Sequence, residues 1–193
     1  MMPKAAATAF TAALLFASAA YAQDFAMPSS PDFSESAGQW DIEGFALGKG
    51  NTIICRMQKN AADGSPFANV FMMSAGSDGF TVIDAYVTKT ALPEDSVPKV
   101  AIYFDGKKTM ELTGGVKKGY LHADIAQLEP LEMGLIIELF RSSKSLVEIA
   151  TLKGHPSEKI TVDLIDADAA FTKRGMCSKA VLDVGMERMR NGG

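Results

Sequence analysis

Glu158-Lys159-Ile160-Thr161-Val162-Asp163-Leu164-Ile165-Asp166-Ala167-Asp168-Ala169-Ala170-Phe171-Thr172-Lys173-Arg174-Gly175-Met176-Cys177 is the stretch that decides how this chain closes. As far as Ile165 it has the β-branched content and alternation of a strand. Asp166 and Asp168 then stand where a helix N-cap and first turn favour acidic side chains, and Ala169, Ala170 and Phe171 carry a helix toward Cys177. The chain has two cysteines. The other, Cys55, lies in the first strongly β-like run, Asn51–Met57. A bond between them ties the end of the fold to its beginning. It closes a loop of about 120 residues, which the chain-entropy model values at roughly 4–5 kcal/mol. Two buried free thiols are the alternative. Two cysteines and two distant histidines lack the close paired spacing of a zinc site.

The compartment follows from the other end. Lys4 gives a positive n-region, Ala5–Ala19 is an apolar run, and Ala20-Tyr21-Ala22 places small residues at a signal-peptidase site. The run is shorter than the roughly 20 apolar residues that span a bilayer, and no second such run follows, so no integral membrane span is expected. The expectation is a signal peptide over residues 1–22, a flexible Ser-, Pro- and Ala-rich leader over 23–39, and a single β-rich domain over 40–190. Export to the periplasm or beyond makes a disulfide chemically reasonable. Loss of Lys4 leaves 18 basic against 23 acidic side chains, a formal charge of −5. Nucleic acid is therefore not an expected partner, because its binders neutralise phosphates with clustered Lys and Arg.

Between the two cysteines lies a series of strands. Trp40 opens the ordered region as a core anchor. Phe67–Ser74 and Phe80–Thr88 are joined at hairpin length, and Asp105-Gly106 sits between the β-rich runs Val100–Phe104 and Thr109–Thr113, a good local hairpin signal. Tyr120–Ile125 is a further strand. Leu128, Leu131, Leu135, Ile136, Leu139 and Phe140 then recur at spacings of three and four, the apolar stripe of an amphipathic helix, with Pro130 in its first turn. Leu146–Leu152 and Lys159–Ile165 return to strand. The fold class is α+β: mainly antiparallel β, a curved sheet or β-sandwich, with two short helices in the C-terminal half.

This layout resembles a known family. Trp40 near the mature start, Cys55 in the first strong strand, a run of hairpins, a helix before Leu146-Val147-Glu148-Ile149, then Ile160-Thr161-Val162-Asp163-Leu164, Ala169-Ala170-Phe171 and Cys177 are similar to exported alphaproteobacterial proteins of the invasion-associated locus B type. The resemblance covers roughly Trp40 to Cys177. It implies an extracytoplasmic β-rich protein without known catalysis, linked in some pathogens to host-cell entry.

Candidate chemistry is sparse. His122, in a strand, and His155, in a Gly-His-Pro turn, are the two histidines, and no nucleophile elbow or zinc motif accompanies them. Asp163, Asp166 and Asp168 lack the glycine and terminal glutamate of a calcium loop and suit capping. Glu129, Glu132 and Glu138 are expected on a solvated helix face rather than as a glycosidase pair. Thr113–Gly119 is Gly-rich and basic but lacks phosphate-loop spacing and is expected as a turn. Met72 and Met73 should point to opposite sheet faces, and Met186 and Met189 to fill space, rather than hold copper. No catalytic residue, metal or cofactor is expected. The leading expectation is a periplasmic or secreted, non-enzymatic protein that binds another protein or an envelope component. The alternatives are a small cell-envelope hydrolase and a carrier of a small apolar ligand.

Overall fold

Alternation of side chains along each strand decides which face becomes the core. The structure is a computed structural model that describes residues 28–76, 79–125 and 128–192. In β2 (Trp40–Leu47) and β3 (Thr52–Asn60) the register pairs Ile42 with Met57, Gly44 with Cys55 and Ala46 with Ile53, so these buried groups share one face. The other described strands are β1 (Phe33–Ala37), β4 (Pro66–Gly76), β5 (Gly79–Lys89), β6 (Lys99–Phe104), β7 (Lys107–Lys117), β8 (Tyr120–Asp124), β9 (Ser145–Thr151) and β10 (Glu158–Asp163). Two helices, α1 (Pro130–Ser142) and α2 (Ala167–Arg190), complete the described elements. The strands form one ten-stranded antiparallel sheet in the order β1-β2-β3-β4-β5-β8-β7-β6-β9-β10.

The sheet turns a corner at β7. Its first part, as far as Thr113, pairs with β6, and its last part, from Gly114, pairs with β8. A strand that changes partner at a bend lets one sheet wrap into two facing leaves. One leaf holds β1–β5 and β8; the other holds β6, β9 and β10. Gly114 allows the corner, because a Cβ there would lie 2.7 Å from Val100 Cγ2 and 2.9 Å from the His122 carbonyl oxygen. Between the leaves, Trp40, Phe67 and Tyr86 meet Ile102, Leu146 and Ile160, while Ile136 and Phe140 of α1 fill the end. The aromatic rings pack directly: Phe140 is stacked on Tyr86 at 5.4 Å and tilted against Trp40 at 5.8 Å. The Trp40 indole N–H is satisfied by the Ile165 carbonyl at 2.9 Å.

The leaves meet again opposite the corner. The Ala62 amide donates to the Thr161 carbonyl at 2.8 Å, and Lys59 Nζ to the Asp163 carbonyl at 2.9 Å. Just beyond β5, Thr90 Oγ1 donates to the Glu158 carboxylate, which also accepts the Ala91 amide at 2.8 Å. This contact is too short to be a ladder, so the sheet stays open.

The hairpin expected at Asp105-Gly106 forms between β6 and β7. Asp105 has φ 48° and Gly106 φ 78°, the doubly left-handed backbone that suits the twist of a two-residue hairpin. Three expectations need correcting. Phe33–Ala37, placed in the flexible leader over 23–39, forms β1: it pairs along its length with β2, and Asp32 accepts the Ala46 amide at 2.8 Å. Its Ser-rich composition hid an alternation of half-buried and exposed side chains and the ion pair of Glu35 with Lys173 of α2 at 2.7 Å. The second helix is not short; it runs 24 residues without a break at Gly175. The stripe expected on α1 is split, with Ile136 and Phe140 buried but Leu131 89% and Leu135 54% exposed. The proposed signal peptide, residues 1–22, lies outside the described residues.

Candidate functional site

α2 lies over β1–β3, held by a disulfide and a buried ion pair, with surface ion pairs of Lys173 to Glu35 and of Arg188 to Asp32 beside them. Cys55 and Cys177 are bonded with their Cα atoms 6.2 Å apart and 122 positions apart in sequence. That spacing is within the usual disulfide range. The approach depends on Gly44: a Cβ there would run into Cys177 Sγ, and would lie 2.5 Å from Val181 Cγ2 and 3.3 Å from Cys55 Sγ. One turn before Cys177, Arg174 enters the core. Its guanidinium lies 3.2 Å from both Asp84 carboxylate oxygens and also donates to Asn69 Oδ1, while Asn69 Nδ2 donates to Asp84 at 2.9 Å. It stacks on the Phe171 ring at 4.1 Å. A buried ion pair of this kind is weak as a source of stability but costly to break on one side.

Glu148 is the unusual group. It points inward from β9, between Ile102 on β6 and Ile160 on β10, and is 1% exposed. Its Oε1 has no hydrogen-bond partner, and neither do the buried hydroxyls of Tyr86 and Thr88 on β5. Burial pushes the Glu148 carboxyl up to about 7. The Tyr86 phenol is also raised, by burial first and then by the charges of Asp84 and Glu148. His122 moves the opposite way: burial lowers it to about 4.

The residues singled out from sequence are dispersed. His122 is buried in β8, whereas His155 is exposed in the turn between β9 and β10. Asp163 accepts the Ile165 amide at 2.8 Å and Asp168 pairs with Arg141 at 2.6 Å. Asp166 holds the N-cap position of α2, but in a left-handed conformation and without a side-chain cap bond. Among the described residues, no group of three or more His, Cys, Asp or Glu is arranged to hold a metal ion. Glu129 and Glu132 form a reciprocal capping box at the start of α1, and Glu138 is exposed. Thr113–Lys117 belongs to β7, and the turn proper is Lys118-Gly119. Met72 and Met73 do face opposite ways. Met72 belongs to a second apolar cluster with Phe45, Ile54 and Ile83, one cross-strand row on the face away from both helices.

Sequence reasoning missed Glu148, which it quoted only within a strand. The signal was there: a lone acid in the apolar alternation Leu146, Glu148, Ala150. It also missed Arg174, Asp84 and Asn69, whose partnership spans three elements and has no local signature.

Two antiparallel leaves, the two described helices on their inner side and one disulfide define a mainly antiparallel β protein with some helix and an internal polar remainder. Its chain is similar to the crystal structure of invasion associated protein B from Bartonella henselae, at 16% identity, covering 76% of this chain and 99% of that one, with a TM-score of 0.49. No protein-family model and no curated protein matches it. No described helix is long and apolar enough to cross a membrane.

Proposed function

We propose that the protein is exported to the periplasm or beyond and acts there, without catalysis, by binding another protein. The observation that carries this reading is the outer face of α1. Leu131 and Leu135, one turn apart, stand in solvent at 89% and 54% exposure, with the exposed Glu138 on the same face. The helix is already anchored by Ile136 and Phe140, so these leucines add nothing to the core. An apolar i, i+4 pair with an acidic neighbour is what a helix offers to an apolar groove on a partner. The chain's net negative charge supports binding over nucleic-acid recognition, and the burial of His122 within a strand, with His155 in an exposed turn, supports it over histidine-based hydrolysis.

The test is crosslinked capture from envelope extract with the mature protein and with a Leu131→Glu/Leu135→Glu double variant. The variant should keep its unfolding midpoint, since both positions are exposed, and lose the captured species. Equal capture by the two proteins would reject this face.

A further inference from the structure

The leaf of β6, β9 and β10 is joined to the rest of the sheet at two places of unequal strength. At one side β7 crosses between the leaves as continuous chain, with Gly114 and Gly115 at the crossing. At the other, beside the short link from β10 into α2, contact rests on the Ala62–Thr161 backbone bond, the Lys59–Asp163 bond, the Trp40–Ile165 bond and the bonds of Glu158 to Thr90 and Ala91. Behind this seam Glu148 points from β9 into the space between the leaves, where its Oε1 and the Tyr86 and Thr88 hydroxyls have no hydrogen-bond partner. We propose that ionisation of Glu148 opens this leaf along the seam, with β7 as the hinge, making a proton-controlled entrance to the interior.

The surroundings of Glu148 offer its charge little relief. β6, β10 and α1 present Ile102, Ile160, Ile136 and Phe140 to the same core. β5 presents the Tyr86 phenol, and Asp84, already paired with Arg174. The nearby cations are committed: Arg174 of α2 to Asp84 and Asn69, and Lys59 of β3 to the Asp163 carbonyl and the Trp40 ring face at 5.2 Å. A carboxylate left without a counter-charge in such a place costs free energy that water relieves. The seam is the side where scattered hydrogen bonds, not a strand ladder, join the leaves. The protonated acid, by contrast, carries no charge and has an O–H to give.

The experiment is amide hydrogen exchange of the intact, oxidised domain, read as protection factors so that the intrinsic pH dependence is removed. For a carboxyl near 7 in the closed form and 4.5 in the open form, the opening constant should rise roughly 30-fold between pH 5.5 and 8.5. Protection in β9 and β10 should fall by that factor while β2–β4 stay unchanged, and Glu148→Gln should abolish the fall. A loss shared equally by both leaves would show that Glu148 only destabilises the whole domain, and would overturn the proposal. So would a pH-independent wild type, or a fall that persists in Glu148→Gln. If that variant fails to fold, the comparison of the two leaves in the wild type still decides.

Discussion

Replacing Gly44 by alanine tests whether α2 is seated as closely as the disulfide requires. The added methyl would overlap Cys177 Sγ and sit 2.5 Å from Val181 Cγ2, well inside contact distance. Neither neighbour is free to yield. Cys177 is fixed through its sulfur to β3, and Val181 is fully buried one turn further along the same helix. Overpacking at a rigid site costs about 1–3 kcal/mol. For a chain of this size each kcal/mol moves the unfolding midpoint by roughly 2–4 °C, so Gly44→Ala should lower it by about 2–12 °C. Gly175 in the same helix gives the control. A Cβ there meets nothing within 4 Å, so Gly175→Ala should stabilise by about 1 kcal/mol through helix propensity alone. Urea unfolding of both variants provides the energies, and Gly44→Ala repeated in a Val181→Ala background provides the coupling. The cost should shrink by about 1 kcal/mol or more in that background, because the methyl then enters the space the valine leaves. A Gly44→Ala protein within 0.5 kcal/mol of wild type, or a cost unchanged by Val181→Ala, would refute the packing argument.

Removing the bond itself, as Cys55→Ala/Cys177→Ala, should cost about 2–5 kcal/mol in urea unfolding, and non-reducing peptide mapping of exported protein should recover Cys55 and Cys177 in one linked fragment. Asp84→Ala should cost about 3–5 kcal/mol by the same assay, because it strands the Arg174 guanidinium in the core without its carboxylate. Acid stability should carry the signature of His122. Its folded value of about 4 is below the ordinary histidine value of 6.5, so the folded state resists its charge: no penalty applies above pH 6.5, and about 3 kcal/mol is lost as pH falls from there toward 4. His122→Gln should flatten that limb, measured as the pH dependence of the urea midpoint.

How much of this was legible beforehand depended on the range of the cause. The Asp105-Gly106 hairpin and Pro130 at the start of α1 are local matters of backbone preference, and they emerged where the residues placed them, whereas Thr113–Lys117, expected as a turn, is strand. The partnership of Cys55 and Cys177 was legible through chemistry rather than geometry, since two cysteines leave one internal pairing. β1 was not legible. Phe33-Ser34-Glu35-Ser36-Ala37 has weak intrinsic β content, and it is a strand because β2 and α2 hold it. The split stripe of α1 shows the converse. Periodicity counts apolar residues on a face but does not say whether the protein's own core or another surface will meet them. Glu148 and the Arg174 network depend on which strands become neighbours, and that information belongs to the topology.

The disulfide also sets an order of events. If the chain is exported N-terminus first, Cys55 would enter an oxidising compartment 122 residues before its partner, when the helix that will cover it does not yet exist. The early hairpins need only nearby chain, but their lid arrives last. Until then the thiol is available to any other chain, and the hazard is linkage between molecules rather than mispairing within one. Once α2 settles, both sulfurs are enclosed and out of reach of exchange. Dense secretion of such a chain would therefore favour cross-linked dimers and higher species through Cys55, and slow synthesis would lengthen the interval in which they form.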